Sequence, residues 1–125
     1  MTDVAPYVEL HLHSCFSFLD GASMPEDLVA SAADFGYPAL ALTDHDGMYG
    51  ALEFARAARA AGIAPITGAE VTLSDGSHLT LLAESMIGYS NLCTLISAAH
   101  GGPGCEIPLA DDDRDDPDPE PDADA

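Results

Sequence analysis

The chain has 125 residues and carries 22 acidic residues against three basic ones, with no lysine, for a formal net charge of −19 at pH 7. Because clustered Lys and Arg bind the phosphates of nucleic acids, this composition argues against direct nucleic-acid binding by the chain itself. Its three cysteines show no CxxC spacing, and no apolar run is long enough for a signal peptide or a membrane span. We therefore expect a cytoplasmic protein without a disulfide framework.

The first predicted element is a β-strand that ends near residue 13. Apolar residues at positions 8, 10 and 12 alternate with polar ones, and this period of two places the imidazoles of His11 and His13 on the same face. The alternation breaks after His13, so the pair lies at the carboxyl end of the strand, where parallel α/β folds keep their ligand sites. Two neutral imidazoles at this spacing can bind a divalent metal ion, although the same triplet also occurs as a plain polar strand face.

A helix is predicted next, from a capping box at residues 23–26, in which Ser23 is the cap, to a stop at Gly36. Its predicted buried side consists of Leu28, Val29, Ala32 and Phe35. The apolar run at residues 38–43 predicts a buried strand, which ends directly before Asp44, His45 and Asp46.

A second helix is predicted over residues 49–61, because four apolar residues recur there at the spacing of one buried helix face. Short strands are predicted at residues 63–67 and 79–83, on either side of a turn at residues 74–77. A third helix is predicted over residues 88–99, with His100 at its end, where a cation suits the helix dipole. The order β-α-β-α-β-β-α predicts a mainly parallel α/β fold.

Residues 106–125 differ in composition from the rest of the chain. They contain ten of the 22 acidic residues and four of the nine prolines. A segment with so little to bury cannot offset the entropy lost on folding, and its like charges repel. We therefore predict a folded domain over residues 1–105 and a disordered acidic tail over residues 106–125.

Metal-ligating side chains follow three of the predicted strands. These are His11, His13 and Asp20 after the first strand, Asp44 and His45 after the second, and Glu70 after the third. Because the carboxyl ends of parallel strands meet at one rim, we expect nitrogen and oxygen ligands to converge there. Asp44 is predicted either to orient an imidazole or to cap the next turn. Asp46 is predicted either to contact metal or to terminate its strand.

Several motifs carry a family resemblance. HLHS with FSFLDGAS, then ALALTDHDGMYGALEF, GIAPITGAE, HLTLLAES and GYSNLCTLIS, occur in this order over about residues 7–100. Together they resemble the start of the polymerase and histidinol phosphatase (PHP) domain at the N-terminus of bacterial DNA polymerase III alpha subunits. The TDHDGMYG block is more similar to the error-prone alpha type, used in damage-induced synthesis, than to the main replicative one.

The resemblance implies a distorted seven-stranded (βα) barrel that binds up to three zinc or manganese ions at a site of phosphoesterase type. Carried over by motif, the implied metal ligands are His11, His13, Asp20, His45, Glu70 and His78. Glu70 is implied to bridge two ions. His78 precedes its predicted strand, so it is alternatively a solvated turn residue. In the full-length family the implied partners are DNA and replication or mutagenesis proteins.

The chain departs from the family pattern after His100. A closing Asp-x-His pair and the polymerase palm are absent from the sequence, so the resemblance covers a partial PHP-type barrel of about four strands and three helices. We therefore expect a truncated, error-prone-type domain that is inactive as a polymerase. Two alternatives remain open: a small standalone PHP phosphoesterase, and a non-catalytic metal-binding or interaction module.

Overall fold

The computed structural model describes residues 6–102, so the predicted tail at residues 106–125 lies outside the described residues. The elements are α1 (Pro25–Asp34), β1 (Ala39–Leu42), α2 (Ala51–Ala60), β2 (Ala64–Thr72), β3 (His78–Leu82) and α3 (Met86–Gly101). The three strands form one sheet in the order β1-β2-β3. The predicted α/β class and the three helices are confirmed, but the sheet has one parallel and one antiparallel pair of strands where a mainly parallel sheet was predicted. None of the helices within residues 6–102 is both long and apolar enough to cross a bilayer.

Strand β2 is longer than predicted because it has a partner along each half. Its first half pairs in parallel with β1, from Ala39 opposite Ala64 to Leu42 opposite Thr67. Its second half, residues 68–72, pairs with β3 in an antiparallel hairpin. The hairpin supplies hydrogen-bond partners beyond the predicted end of the strand. Glu70 therefore lies inside β2, and the prediction that it follows the strand is wrong.

The predicted first strand is not a regular strand in the described residues. The segment runs beside β1, where Ala41 N donates to Glu9 O at 3.0 Å and Thr43 N donates to Leu12 O at 2.8 Å. The segment advances three residues between these bonds while β1 advances two, so one extra residue interrupts the ladder. The Thr43 hydroxyl takes the place of a main-chain acceptor for Leu12 N, at 2.9 Å. The sheet consequently has three strands where four were predicted.

Helices α1 and α2 pack with β1 around one apolar cluster. Its buried residues are Val29, Ala32, Leu40, Leu42, Phe54, Ala58 and Ile63. Phe35 was predicted to join this cluster but is 74% exposed, because α1 ends at Asp34 and Gly36 turns the chain with φ 75°. The N-cap is Met24, with Pro25 as the first helical residue, so the prediction of Ser23 as the cap is also wrong.

Helix α3 packs on the other part of the sheet. A second buried cluster joins Ala69 and Val71 of β2 to Leu92 of α3. The helix begins at Ser85, whose side-chain oxygen accepts a hydrogen bond from Gly88 N at 3.1 Å. Its far end brings His100 towards the residues that follow β1. Helix α3 therefore packs directly against β2, the strand that carries Glu70.

Candidate metal centre

Six side chains from five parts of the chain meet near the end of β1. His11 and His13 come from the extended segment beside β1, Asp20 from the loop after it, His45 from the residues after β1, Glu70 from β2 and His78 from the start of β3. An isolated parallel bridge between His45 and Glu70 continues the β1–β2 pairing past the end of β1. All six residues that the motifs suggested are thus brought together.

Glu70 is the hub of this cluster. Its Oε2 lies 2.8 Å from His11 Nε2 and 2.5 Å from His13 Nε2. The same oxygen lies 3.7 Å from His45 Nε2, and Oε1 lies 4.0 Å from His78 Nδ1. The residue is only 7% exposed. One buried carboxylate therefore faces four imidazoles.

Asp20 supplies a second carboxylate at the exposed side of the cluster. Its Oδ2 lies 2.6 Å from His13 Nδ1 and 2.8 Å from His45 Nε2. His13 consequently contacts a carboxylate through each ring nitrogen. In a neutral imidazole only one nitrogen can accept or bind metal while the other donates a proton. Asp20 can therefore orient His13 or bind an ion with it, depending on which nitrogen carries the proton.

The six residues form three overlapping groups with metal-ligand geometry. The groups are His11–His13–Glu70, His13–Asp20–His45 and His45–Glu70–His78. Within each group the candidate ligand atoms lie within 4.8 Å of one another. Nitrogen and oxygen ligands bind Zn²⁺ at about 2.0–2.2 Å, so two ligands in a tetrahedral site are about 3.4 Å apart. The donor atoms are of types that bind divalent ions and lie close enough together to surround one, while the shortest contacts, at 2.5–2.8 Å, have the length of hydrogen bonds.

Both central carboxyl groups favour the ionised form that metal binding needs. Burial raises the pKa of Glu70, but hydrogen bonds with the His11 and His13 imidazoles outweigh it, so the pKa is lowered. For Asp20, the hydrogen bond with His45 is the main cause of a lowered pKa. A ligand must be deprotonated before it binds a metal ion, so these directions suit the site.

Asp44 does not contact an imidazole, which corrects that part of its predicted role. Its carboxylate is 2% exposed and accepts three hydrogen bonds: from Ser14 N at 2.6 Å, from Ser14 Oγ at 2.7 Å and from Ser17 Oγ at 2.7 Å. Successive side chains of an extended chain point to opposite sides, so Asp44 and the adjacent His45 face different neighbours. Asp44 instead anchors the loop between His13 and Asp20.

Sequence reasoning missed the two serines that anchor this loop. Ser14 and Ser17 are fully buried, and Ser17 Oγ also accepts a hydrogen bond from His45 N at 3.0 Å. The signal in the sequence was a pair of small hydroxyl residues three apart, directly after the histidine pair. Serines in loops usually face solvent, so this spacing alone did not indicate a buried network.

Asp46 lies beside the metal-ligand groups but belongs to none of them. Its carboxylate accepts hydrogen bonds from Thr72 N at 2.8 Å and from Thr72 Oγ1 at 2.7 Å. Burial raises the pKa of Asp46, and the two bonds from Thr72 outweigh that effect and lower it. Its side chain thus holds the end of β2. Cys15 also stands apart from the groups, with its Sγ 3.4 Å from Met24 Sδ.

Comparison with known proteins agrees with this geometry. Residues 9–117 match the family model described as the PHP domain. The chain is 57% identical over 110 residues to an error-prone DNA polymerase of Symbiobacterium thermophilum, covering 83% of this chain and 10% of that protein. It is 49% identical over 104 residues to an error-prone DNA polymerase of Mycobacterium tuberculosis, covering 75% and 10%. The chain therefore spans about a tenth of the length of these curated relatives.

Two solved structures share the fold. An amidohydrolase from Chromobacterium violaceum, with bound sulfate and no metal, is 35% identical with a TM-score of 0.58, covering 75% of this chain and 34% of that one. A two-domain protein from Bacteroides vulgatus, which contains a predicted PHP-like metal-dependent phosphoesterase, is 26% identical with a TM-score of 0.54. That match covers 60% of this chain and 25% of the other. The described strands and helices thus correspond to part of a larger fold in both proteins.

Proposed function

Because the chain belongs to the PHP domain family, we propose that it binds divalent metal ions in a site of phosphoesterase type. The proposed ligands are His11, His13, Asp20, His45, Glu70 and His78. The observation that carries the proposal is the buried Glu70 carboxylate, whose Oε2 lies within 2.8 Å of two imidazoles and within 3.7 Å of a third. Burying a carboxylate in an apolar core costs free energy, whereas a buried carboxylate surrounded by imidazoles can bind a cation.

The proposed metal is zinc or manganese, because both ions accept imidazole and carboxylate ligands and the site holds no thiolate among its donors. Bound ions would supply the positive charge that acidifies water and neutralises a phosphate ester. The residues of the chain orient the ligands. Asp20 Oδ2, 2.6 Å from His13 Nδ1, would orient the His13 ring, whose Nε2 faces the first ligand group.

In the whole protein we propose that this domain belongs to an error-prone DNA polymerase acting in DNA replication and damage-induced synthesis. The names of the relatives support this context, as do the motifs in the loop before Asp20 and in α3. In this proposal, DNA and the replication or mutagenesis proteins bind to parts of the polymerase outside this domain. With a charge of −19 and no lysine, the chain would approach a phosphate only through its bound ions.

A standalone phosphoesterase acting on a nucleotide or sugar phosphate is the second candidate. The observation in its favour is the fold shared with the Chromobacterium violaceum amidohydrolase, whose structure holds sulfate, a tetrahedral anion of the same shape as phosphate. A third reading, a non-catalytic metal-binding or interaction module, predicts metal binding without turnover. All three proposals therefore predict that the chain binds metal ions, and they differ in whether it hydrolyses a phosphate ester.

The test is hydrolysis of p-nitrophenyl phosphate by the purified chain with added Mn²⁺, together with calorimetric measurement of Mn²⁺ binding. A working hydrolytic site requires that His11→Ala and Glu70→Ala abolish turnover, while Glu84→Ala, which changes an exposed carboxylate outside the cluster, leaves it intact. Binding without turnover would support the polymerase domain or the non-catalytic module. Absence of both Mn²⁺ and Zn²⁺ binding would refute the proposed metal site.

A further inference from the structure

Asp46 is a junction between the residues after β1 and the end of β2. Its backbone is in the left-handed region, with φ 50°, where residues other than glycine are uncommon. Its N–H donates to Glu70 O at 2.9 Å, and its carboxylate accepts two bonds from Thr72. Asp46 is thus hydrogen-bonded to the main chain of β2 at two residues, Glu70 and Thr72.

These bonds connect Asp46 to one ligand group in particular, His45–Glu70–His78. His45 is the preceding residue in the chain, and Glu70 accepts the Asp46 N–H. The Thr72 hydroxyl that bonds to Asp46 also lies 3.4 Å from His78 Nδ1. His45 and Glu70 are therefore joined directly to Asp46, and His78 is joined to it through Thr72. His11 lies outside this set of contacts and approaches Glu70 from the extended segment.

His100, at the end of α3, holds the same junction from the other side. Its Nε2 lies 2.7 Å from Asp46 O. A carbonyl oxygen only accepts hydrogen bonds, so Nε2 must carry a proton and donate. The contact borders a cavity of about 350 Å³ that is lined by Asp46, Thr72, Ala99 and His100. Helix α3 already packs on the sheet through the apolar cluster at Leu92. The hydrogen bond of His100 is a second contact, and it joins α3 to the residues beside the metal-ligand groups.

We propose that His100 is a positioning residue of the metal centre, which acts through Asp46 to hold the ligand group His45–Glu70–His78 in place. The inference rests on the proposed metal binding. His100 fixes the carbonyl of a residue in an uncommon backbone conformation, and that residue in turn fixes the main chain next to His45 and Glu70. Loss of the imidazole would allow the backbone at Asp46 to relax and would spread the three ligands.

The experiment is calorimetric titration of the 125-residue chain and its variants with Mn²⁺. His78→Ala first identifies which binding event belongs to this ligand group. We expect His100→Ala to weaken that event by about tenfold, the lower end of the effect of residues that orient ligands, and to weaken the other events less, because each of them shares only one ligand with this group. His100→Gln should restore the affinity, because its amide nitrogen can donate from a position similar to Nε2. Ser97→Ala, at an exposed position on the same helix, is the matched control.

Thr72→Val provides a second route, because it removes the hydroxyl that joins Asp46 to His78 and keeps the branched shape of the side chain. It should weaken the same binding event, and it serves if His100→Ala fails to fold. Unchanged Mn²⁺ binding in either variant would overturn the inference. So would an equal loss at every site, or a His100→Gln variant as weak as His100→Ala. A wild-type chain that binds no Mn²⁺ would refute the proposed function itself.

Discussion

Replacing Asp44 with alanine should destabilise the chain more than any exposed substitution near the metal centre. The carboxylate is buried and accepts hydrogen bonds from Ser14 N, Ser14 Oγ and Ser17 Oγ. Asp44→Ala would leave three donors without an acceptor, and both serines are themselves buried. The loop that carries Asp20 would then lose its anchor.

The size of the effect follows from these contacts. A hydrogen bond to a charged group contributes about 1.5–3 kcal/mol, but three bonds to one carboxylate do not add fully, because the loop can relax and admit water. We therefore expect a loss of about 3–5 kcal/mol, which is similar to the cost of removing one member of a buried charged pair. The free energy of unfolding of native proteins is about 5–15 kcal/mol, so a loss of this size is a large part of the total.

Urea unfolding followed by circular dichroism at pH 7 measures this loss. Asp44→Asn keeps one oxygen for Ser14 N and Ser17 Oγ and should cost less, about 1–2 kcal/mol. Asp34→Ala, at an exposed position at the end of α1, is the control for removing a carboxylate and should stay within about 0.5 kcal/mol of wild type. If Asp44→Ala matches the Asp34 control, the buried network does not hold the loop, and the reasoning is refuted.

Three further predictions concern the fold. Gly21→Ala should lower the free energy of unfolding in urea by about 1–3 kcal/mol, because a Cβ there would meet the main-chain carbonyl of Ser14. Gly88→Ala has room within α3 and should raise it by about 0.5–1 kcal/mol. Equal urea midpoints for the two variants would contradict this. Phe54→Ala should lower the free energy of unfolding by about 3–5 kcal/mol, since the ring is fully buried, and a loss below about 1 kcal/mol would show that the first cluster is not the core. Two hydrogen bonds from Ser77 hold the pKa of the Asp75 carboxyl below its usual range. Its stabilising contribution is therefore complete above the unfolded pKa and disappears as the pH falls through the folded one, so the difference in Tm between wild type and Asp75→Asn should shrink from pH 6 to pH 2, and a constant difference would argue against it.

The local features that sequence periodicity predicts best were confirmed. The second helix was predicted from the spacing of its apolar residues, and in the structure Phe54 and Ala58 are its buried residues. Gly36, the predicted stop of the first helix, follows the end of α1 with a left-handed backbone, and Gly62 does the same after α2. The errors were at boundaries. The end of β2 was placed too early because the hairpin with β3 supplies hydrogen bonds that no local pattern reveals.

The predicted ligand set rested on motif resemblance and on the residue types at strand ends, and the structure brings all six side chains together. The surrounding network was harder to predict. Asp44 was expected either to orient an imidazole or to cap the next turn, and His100 was expected only to suit a helix dipole. Their partners are Ser14, Ser17 and the Asp46 carbonyl, which are 27 to 54 residues away in the chain. Such contacts depend on how helices and strands pack, and a single sequence carries no direct record of that packing.

By itself, the amino-acid sequence determined most of the helices and strands, because the periods of 2 and 3.6 residues are local properties of the chain, and its motifs resembled those of the family. Only the tertiary structure decided that Glu70 lies within β2 facing four imidazoles, that an extra residue interrupts pairing between Glu9 and Leu12, and that α3 reaches Asp46. Each of these depends on register and packing between distant segments, where a shift of one residue turns a side chain to the opposite face.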